Sequence, residues 1–455
     1  MRNIIIGLLM FYNRKTEVKK IKDALKVRGN LIIIYGRRRI GKSTLLRKVI
    51  KSNDVYFLSD LRETSLQIKS LQMLMKNKIE AFDKIIIPDW DVFFTTLKSL
   101  SKTFTLVLDE FPYLVKNAPS LPSIIQKHID LGTFKNINLI LCGSSQSMMT
   151  NLFQSSKAPL YGISSMILKV DFLSIFYLKE MLGVTAKQAI EEYSVWGGVP
   201  RYWLERSKYN SFYNAVFELV LNKYGLFYDE PIILFLDEMR TSIQSNSILS
   251  VIASGANKLS EIAGRLNKPA THISKPMQLL TELGYLKRET PFGELEKNTK
   301  KSLYKIGDPF LRFYFNYVVP NRTLIETEQI NIVKEKMVKS FNQYVSETYE
   351  ELCRKCIPFL FKRQGDFTRA KKYWTKEVEV DLISKDAYKD VYIIGEVNWN
   401  DNIKLNSVTG LLDNKIAKIP FLKGKKIIKV VFGKKQLAIK TRNYFAPEDV
   451  IKAFR

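Results

Sequence analysis

Hydrophobic residues in the first third of the chain gather into short continuous runs, and the first of them leads toward a segment with helical spacing. Three of these runs are rich in branched apolar residues: Leu31–Tyr35, Phe104–Leu108 and Ile137–Gly143. Such runs are typical of strands that are buried on both faces of a parallel sheet. Parallel strands connected through helices predict an α/β fold.

Aromatic and leucine residues recur at helical spacing from about residue 170 to residue 240, which predicts a helical segment. Residues 246–306 show a different pattern, with short helices followed by strands. Short periodic segments predict three helices there, and the third covers Ala270–Leu283, with Pro276 expected to distort it. Two strand-like segments, Gly284–Thr290 and Lys301–Ile306, come next. Helix, turn, helix and a two-stranded wing is the order of a winged helix-turn-helix.

The residues from 334 to 455 show a third pattern, in which a helix from Lys334 to about Cys356 precedes several strands. Acidic side chains alternate with valines from Glu377 to Asp381, so they share one face of a strand. Glu396 lies on the following strand. The pattern predicts a second α/β domain with carboxylates on neighbouring strands.

Length and composition describe a multidomain globular protein. The chain has 455 residues, of which 46% are hydrophobic and 26% are charged, and these values exclude disordered and fibrous classes. Three cysteines cannot form a disulfide framework, and no apolar run is long enough to span a bilayer. We therefore expect a cytoplasmic protein.

Positive charge is unevenly distributed along the chain. The net charge is +27, with +13 in residues 1–53, +6 in residues 240–305 and +10 in residues 415–455, so the remainder is close to neutral. Basic patches attract the phosphates of nucleotides or nucleic acids. Solvated lysine faces are the alternative explanation.

A glycine-rich segment follows the first strand without a break. It reads Gly36-Arg37-Arg38-Arg39-Ile40-Gly41-Lys42-Ser43, and Thr44 continues into a helix. This is the GxxxxGK[ST] pattern in its strand–loop–helix setting, where backbone N–H groups and the helix N-terminus face phosphates. We expect Lys42 to reach the β- and γ-phosphates and Ser43 to ligate Mg²⁺. The segment from Gly36 to Thr44 is thus predicted to bind ATP or ADP.

Polar residues end the two later strands. Asp109 and Glu110 close the run that starts at Phe104, and we expect Asp109 to hold Mg²⁺ through water and Glu110 to polarise the attacking water. Ser144 and Ser145 follow the next run. One of them, with Ser144 the chosen candidate, is predicted to sense the γ-phosphate or orient water, and an N-cap for the next helix is the alternative.

These motifs resemble the archaeal-type P-loop ATPases, relatives of AAA+ proteins within the STAND group of signal-transduction NTPases. The resemblance covers essentially the whole chain and rests on five segments: Phe11–Arg14, Gly36–Ser43, Leu106–Phe111, Gly143–Ser145 and Trp196–Tyr202. It implies an AAA-like parallel sheet with a helical lid. It also implies that Arg14 and Pro200 lie on the adenine side of the nucleotide.

One position departs from that resemblance. Related sequences usually carry an arginine after the tripeptide Leu160–Gly162, and here the residue is Ile163. If that arginine normally completes catalysis, this protein hydrolyses ATP slowly, with Arg201 as a partial substitute. Slow turnover fits a switch better than a motor.

The winged-helix segment offers polar residues for nucleic acid. His272, Lys275 and Gln278 are predicted to face outward on the third helix, and Lys287 and Arg288 are predicted to hold phosphates at the wing. Winged helices also serve as protein-interaction modules, and that alternative stays open.

The C-terminal pattern resembles the PD-(D/E)XK nuclease fold. By that resemblance Glu350, Asp381 and Glu396 form a possible second metal site, and Asn398 stands where the fold usually has lysine. A neutral Asn cannot supply the charge of that lysine, although Lys415 on the following helix is a possible substitute. A degenerate nuclease fold that binds DNA is the alternative.

We therefore predict four domains: a P-loop ATPase core over residues 10–170, a helical lid over 171–240, a winged helix over 241–320 and a nuclease-like domain over 334–455. The predicted function is a slow Mg²⁺-dependent ATPase that works as a nucleotide switch coupled to DNA binding. The alternatives are a protein-interaction switch without a DNA role and an active ATP-regulated DNA nuclease. Self-association or another protein partner is possible, and no membrane association is expected.

Overall fold

The structure is a computed structural model that describes residues 13–100, 102–154, 156–238, 242–295, 299, 301–437 and 441–455. The landmark residues Phe11 and Tyr12 and the wing residue Lys300 lie outside these ranges. Within these ranges, no helix combines the length and the apolar character needed to cross a membrane.

The chain divides into two compact units. Unit 1 takes the described residues of Met1–Phe172 and Ile233–Arg240, and unit 2 takes those of Leu173–Ile232 and Thr241–Arg455. The predicted ATPase core falls in unit 1. The predicted winged helix and C-terminal domain fall in unit 2, together with most of the predicted lid.

Unit 1 alternates helices and strands along the chain. Its elements are α1 (Lys15–Ala24), β1 (Leu31–Tyr35), α2 (Lys42–Val49), β2 (Val55–Leu58), α3 (Thr64–Lys76), α4 (Trp90–Lys98), β3 (Phe104–Asp109), α5 (Phe111–Asn117), α6 (Leu121–Asp130), β4 (Ile137–Gly143), α7 (Gln146–Phe153) and β5 (Met166–Lys169), with a 3₁₀ turn at Phe82–Lys84.

The five strands form one parallel sheet in the order β2-β3-β4-β1-β5. Strands β1, β3 and β4 are buried along their whole length, which explains their continuous apolar sequence. The α/β prediction is confirmed. Because the strands are parallel, the residues that follow β1, β3 and β4 meet at one edge of the sheet.

Unit 2 begins with helices and ends in a sheet. Its helices are α8 (Ile175–Leu182), α9 (Ala186–Trp196), α10 (Pro200–Arg206), α11 (Phe212–Leu219), α12 (Glu230–Glu238, whose last residues belong to unit 1), α13 (Ser242–Ala253), α14 (Leu259–Arg265), α15 (Ala270–Glu282), α16 (Pro309–Phe313), α17 (Arg322–Glu326), α18 (Ile330–Leu360), α19 (Leu405–Ala417) and α20 (Pro447–Lys452). Its strands are β6 (Leu286–Glu289), β7 (Leu303–Ile306), β8 (Lys371–Trp374), β9 (Glu379–Lys385), β10 (Val391–Asn398), β11 (Lys426–Gly433) and β12 (Tyr444–Phe445).

The strands of unit 2 form two sheets. Strands β6 and β7 pair antiparallel directly after α15, which is the order predicted for a winged helix-turn-helix. The other five form a mixed sheet in the order β12-β11-β10-β9-β8, antiparallel from β8 to β10 and parallel from β10 to β12. Phe292, between β6 and β7, packs against the core of this second sheet.

Helices α15 and α18 of unit 2 each continue through an interior proline. Helix α15 continues through Pro276, from Ala270 to Glu282, so the proline does not end it. A helical proline leaves the carbonyl four residues earlier without its usual partner. Here the side chain of Gln244 donates to the His272 carbonyl at 3.3 Å. In α18, Pro358 leaves the Arg354 carbonyl free, and the Ala370 N–H donates to it at 3.2 Å.

Candidate functional site

The loop between β1 and α2 is shaped by two glycines. Gly36 approaches the backbone so closely that an added Cβ would lie 2.4 Å from the Val170 carbonyl oxygen. Gly41 caps α2 at φ 95°, in the left-handed region that favours glycine. The consensus glycines are therefore required by close approach at one end of the loop and by backbone conformation at the other.

Lys42 is the first residue of α2 and is buried. Its ammonium donates to the carbonyls of Gly36, at 2.8 Å, and Arg37, at 3.1 Å. The charge therefore lies inside the loop, held by backbone oxygens that a nucleotide phosphate can replace as acceptor. This is the position expected of a lysine that binds phosphate.

The other loop residues differ in exposure. Arg37 is buried, and its guanidinium lies 5.6 Å from the centre of the Phe172 ring. Arg39 has a positive φ of 67°, which adds a second left-handed position to the loop. Ile40 is buried, and Thr44 is exposed on α2. Arg38 is half-buried. Their predicted contacts with nucleotide stay predictions.

Ser43 and Asp109 meet as the motif requires. The Ser43 hydroxyl donates to Oδ2 of Asp109 at 2.7 Å, and the Glu110 N–H donates to Oδ1 at 3.0 Å. Because the serine proton is directed at the carboxylate, the lone pairs of its oxygen remain for a cation. Hydroxyl and carboxylate oxygens are the ligands that Mg²⁺ prefers, so this donor set fits the ion.

Tyr56 on β2 also reaches Asp109. Its hydroxyl forms a short hydrogen bond to Oδ2, the oxygen that Ser43 contacts, and Arg47 of α2 lies 5.6 Å from its ring centre. Burial, and then the charge of Asp109, raises the pKa of Tyr56 well above its usual value, so the hydroxyl stays protonated and donates. The sequence analysis missed this residue.

Glu110 and Ser144 are in contact across the edge of the sheet. Oε2 of Glu110 accepts from the Ser144 N–H at 3.1 Å and from its hydroxyl at 2.7 Å. Glu110 has φ 56°, a left-handed conformation that is uncommon outside glycine. Ser145 is the N-cap of α7 and accepts from the Met148 N–H at 3.4 Å. Ser145 therefore takes the N-cap role, and the predicted role of Ser144 at the γ-phosphate stays a prediction.

A second carboxylate, from Glu238 at the end of α12, lies at the N-terminus of α7. It accepts from the N–H groups of Gln146, at 2.8 Å, and Ser147, at 3.1 Å, and from the Ser147 hydroxyl at 3.1 Å. Burial raises the pKa of Glu238, and these hydrogen bonds oppose the rise. The turn from β4 to α7 is therefore held by two acids, Glu110 and Glu238.

Arg14 braces the phosphate loop from outside. Its buried guanidinium donates to the carbonyls of Ile40, at 3.3 Å, and Asp171, at 2.6 Å, and pairs with Glu17 at 2.9 Å. Arg14 thus ties the loop backbone to the chain that follows β5. Its predicted place beside adenine stays a prediction.

The two residues of unit 2 that were predicted to serve the nucleotide site lie at the start of α10. Pro200 is its first residue, and the Arg201 guanidinium pairs with Glu205 at 2.8 Å, with 54% of the Arg201 side chain exposed. Glu205 is buried and also pairs with Lys208 at 2.6 Å, so Arg201 is one of two cations on this carboxylate. The predicted roles of both residues stay predictions.

The third helix of the winged-helix segment exposes the predicted side chains. His272, Lys275 and Gln278 of α15 are exposed, whereas Ile273 and Met277 on the other face are buried. Gln278 donates to Glu282 at 2.8 Å on that outer face. The face of α15 is therefore polar and open to a partner.

The wing residues are arranged differently from the prediction. Lys287 forms a short ion pair with Glu351 and lies 3.5 Å from Glu289, and only 21% of its side chain is exposed. Its charge is neutralised within unit 2, which argues against a phosphate contact by Lys287. Arg288 donates to the Thr299 carbonyl at 3.0 Å.

Much of the C-terminal positive charge is also paired. Five lysines of residues 415–455 form ion pairs with acids of the same unit: Lys415 with Glu396, Lys425 with Asp390, Lys429 with Asp413, and Lys434 and Lys435 with Asp401. The +10 of this segment therefore overstates the charge that is available to DNA.

Two of the predicted C-terminal carboxylates lie on neighbouring strands. Oδ2 of Asp381, on β9, accepts from the Val397 N–H at 2.9 Å, and Oε2 of Glu396, on β10, pairs with Lys415 at 2.9 Å. Burial, and then the charge of Asp381, raises the pKa of Glu396 to about 7. Oε1 of Glu396 is buried and has no hydrogen-bond partner within the part of the chain that the structure describes.

The third carboxylate of the predicted site has a different partner. Glu350 lies 3.4 Å from the guanidinium of Arg354, which also donates to the Asp381 carbonyl at 3.3 Å. Burial, and then Asp381, raises the pKa of Glu350. Among the described residues, no group of three or more His, Cys, Asp or Glu is arranged to hold a metal ion. The predicted metal site is therefore not formed, because Arg354 and Lys415 supply the positive charge instead.

Glu347, which lies one helical turn before Glu350 on α18, pairs with other cations of unit 2. Its carboxylate lies 2.9 Å from Arg312 and 3.4 Å from Lys305. Burial favours a higher pKa for Glu347, but these cations outweigh it and hold the pKa at about 2.

Two residues of the site were not predicted from the sequence: Tyr56, which contacts Asp109, and Glu238, which contacts the start of α7. Tyr56 lies in an apolar strand, where tyrosine is common and carries no signal of its own. Glu238 is the last residue of an amphipathic helix, and nothing in its neighbourhood indicates an acceptor for another helix.

Comparison with known proteins gives two family matches. The family described as an ATPase domain predominantly from Archaea matches residues 11–205, and the family described as archaea bacterial proteins of unknown function matches residues 314–413. An uncharacterized protein of Methanocaldococcus jannaschii is 30% identical over 400 residues, which are 86% of this chain and 88% of that protein. An uncharacterized ATP-binding protein of the same organism is 40% identical over 50 residues, which are 11% of this chain and 85% of that protein.

Among solved structures, the Walker-type ATPase paby2304 of Pyrococcus abyssi has a similar fold. The TM-score is 0.52 at 21% sequence identity, and the match covers 67% of this chain and 96% of that one.

Proposed function

This chain belongs to the archaeal P-loop ATPases, and we propose that within that family it is a slow Mg²⁺-dependent nucleotide switch coupled to DNA binding. The observation that carries the nucleotide site is the contact between Ser43 of the phosphate loop and Asp109 at the end of β3, at 2.7 Å. It joins the two halves of an ATPase site that lie far apart in sequence.

Residues of the phosphate loop and Asp109 account for the proposed binding of nucleotide and Mg²⁺. Loop N–H groups and the N-terminus of α2 bind the phosphates, and Lys42 exchanges its carbonyl acceptors for phosphate oxygens. Ser43, with Asp109 through water, would hold Mg²⁺, which neutralises phosphate charge. Gly36 and Gly41 allow the backbone to approach the ligand closely.

Hydrolysis follows from the residues after β3 and β4. Glu110 accepts a proton from water as the water oxygen attacks the γ-phosphorus, and the bond from that phosphorus to the bridging oxygen breaks to release ADP. Ser144 orients Glu110 through Oε2. Lys42 stabilises the charge on the transferred group. Ile163 replaces the arginine usual in related sequences, which makes turnover slow.

The test of the nucleotide site is titration calorimetry with ADP. Lys42→Ala should weaken binding by at least about 10-fold, because a charge-assisted contact to phosphate is lost. Lys48→Ala changes an exposed lysine of the same helix and serves as the matched control. Equal affinity of Lys42→Ala and the wild type would contradict the phosphate-loop assignment.

DNA binding is proposed for the exposed face of α15. His272, Lys275 and Gln278 combine a positive charge with hydrogen-bonding groups, as contacts to phosphates and base edges require. The test is fluorescence anisotropy with labelled duplex and single-stranded DNA between about 50 and 200 mM salt. Affinity should fall steeply with salt, and no binding at the lower salt concentration would favour a protein partner instead.

The C-terminal domain is proposed to act as a DNA-binding platform without cleavage. Arg354 and Lys415 neutralise the carboxylates that a nuclease would offer to metal ions. The alternative, an active nuclease, has one observation in its favour, since Lys415 contacts Glu396 and brings a lysine to the place where Asn398 lacks charge.

Incubation of the protein with a panel of DNA forms and Mg²⁺ or Mn²⁺, with and without ATP, distinguishes a non-cleaving DNA-binding domain from an active nuclease. We expect no cleavage. Cleavage that is abolished by Asp381→Ala and by Lys415→Ala, and retained in Lys418→Ala, would establish the nuclease alternative.

A further inference from the structure

Three donors besides the Cys142 thiol contact the carboxylate of Asp109, and one of the three has no place in the phosphate-loop motif. The Glu110 N–H contacts Oδ1, and the hydroxyls of Ser43 and Tyr56 both contact Oδ2. Asp109 is fully buried, so the orientation of its carboxylate is set by these contacts rather than by water. Tyr56 comes from β2, a strand that contributes no other residue to the site described above.

Tyr56 is itself fixed in two places. Its ring lies beside the guanidinium of Arg47, which is on the same face of α2 as Ser43, one turn later. Its hydroxyl is bound to Asp109. Strand β2 pairs with β3 so that Leu58 lies opposite Asp109 and Tyr56 lies opposite Val107. A rigid strand neighbour and a helix therefore hold the ring, and the hydroxyl has little freedom to leave the carboxylate.

These hydrogen bonds connect Tyr56 through Asp109 to the hydroxyl oxygen of Ser43, the atom expected to ligate Mg²⁺. If Tyr56 fixes Oδ2 of Asp109, then Asp109 fixes the proton of Ser43, and the lone pairs of the Ser43 oxygen face away from Asp109. A metal ligand whose orientation is set by an outer hydrogen bond binds more tightly than one that must be ordered on binding.

We propose that Tyr56 is a positioning residue for the magnesium ion of the ATPase site, acting through Asp109 on Ser43. The proposal rests on the proposed nucleotide function and extends it to a residue outside the motif. Tyr56 touches neither nucleotide nor metal in this role. Its effect is confined to the step that involves Mg²⁺, so nucleotide affinity in the absence of the ion does not depend on it.

The test measures ADP affinity by calorimetry in Mg²⁺ and in EDTA. Its readout is the dissociation constant in EDTA divided by the dissociation constant in Mg²⁺. Tyr56→Phe keeps the ring beside Arg47 and removes only the hydroxyl. The ratio should fall about 10-fold, the lower end of the effect expected for an outer hydrogen bond to a metal ligand, while affinity in EDTA stays within about 2-fold of the wild type. Tyr161→Phe, an exposed tyrosine of the same unit, is the control and should leave both values unchanged.

The outcomes distinguish failure of the proposed role of Tyr56 from failure of the proposed Mg²⁺-dependent nucleotide site. A wild-type affinity that does not respond to Mg²⁺ overturns both the magnesium site and the role of Tyr56. A wild-type response that Tyr56→Phe retains in full, or exceeds, overturns the role of Tyr56 alone. An equal loss of affinity with and without Mg²⁺ also overturns it, because a general disturbance of the fold acts on both conditions.

Discussion

The Ser144 hydroxyl donates to Oε2 of Glu110 at 2.7 Å, and the Ser144 backbone N–H donates to the same oxygen at 3.1 Å. Both contacts use one oxygen, so the second carboxylate oxygen is the one that can take a proton from water. The serine at the end of β4 thus acts on the acid at the end of β3. From this contact we propose that Ser144 orients Glu110, the carboxylate proposed to accept the proton of the attacking water, rather than binding phosphate directly.

Ser144→Ala should lower the rate constant of ATP hydrolysis by about 10-fold, because one hydrogen bond to a charged group is worth about 1.5 kcal/mol. Nucleotide affinity should not change, since Ser144 contacts Glu110 and not the loop. A steady-state phosphate-release assay measures the rate, and Thr150→Ala on α7 is the control. A faster variant would show that the contact restrains Glu110 instead of orienting it.

Glu238→Ala should loosen the start of α7. The backbone N–H groups of Gln146 and Ser147 lose their acceptor, which costs about 2 kcal/mol for buried donors. Hydrogen–deuterium exchange of peptides that span residues 144–153 should become faster by about 10-fold or more. Glu80→Ala removes an exposed acid of the same unit as the control. Unchanged exchange in this segment would mean that water replaces the carboxylate without loss.

The ion pairs of Glu347 should make unit 2 sensitive to acid. Arg312 and Lys305 hold the pKa of Glu347 at about 2, against an ordinary value of 4.5. A depressed pKa stabilises the fold above the unfolded-state value, and this contribution is lost as the pH falls from about 4.5 toward 2. Because 34% of the side chain is exposed, we expect a loss on the order of 1 kcal/mol.

Thermal unfolding measured across that pH range checks the prediction. Glu347→Gln should be less stable than the wild type at neutral pH, and the difference should shrink as the pH falls. Glu335→Gln, an exposed acid on the same helix, should follow the wild type at every pH. A constant difference between Glu347→Gln and the wild type would exclude the ion pairs as its cause.

Lys275 and Lys287 should differ in their effect on DNA binding. Lys275 is exposed on α15, whereas Lys287 is paired with Glu351. Lys275→Ala should reduce the slope of log K against log salt by about 1, the value for one phosphate contact. Lys287→Ala should leave the slope unchanged and lower thermal stability, since Glu351 loses one of its cationic partners and keeps Lys355. Anisotropy titrations at several salt concentrations measure both slopes, and a reversed order would contradict the assignment of α15.

The nucleotide site was largely predictable from sequence because its geometry is local. Gly36, Gly41, Lys42 and Ser43 are contiguous between a strand and a helix, so backbone conformation alone places them. Asp109 was predictable for a different reason, since the ends of parallel strands meet at one edge of the sheet. The family resemblance and the α/β fold class, both inferred from these segments, are confirmed.

Charge was a weaker guide than its total indicated. A net charge of +27 predicts phosphate binding across the chain, yet Lys287 and the five paired lysines of residues 415–455 form ion pairs inside unit 2. Sequence counts charges without their partners, and opposite charges that meet in the fold no longer attract a ligand at a distance.

The sequence by itself determined the sheet, the phosphate loop and the acids that serve it, because each depends on a short segment and on the period of its apolar residues. The tertiary structure alone decided which distant side chains reach the end of β3 and the residues that follow β4. Tyr56 reaches Asp109 across 53 residues, and Glu238 reaches Gln146 across 92. Such contacts depend on strand order and helix packing, which bring distant residues within hydrogen-bond range. No periodic pattern of apolar residues in the sequence indicates them.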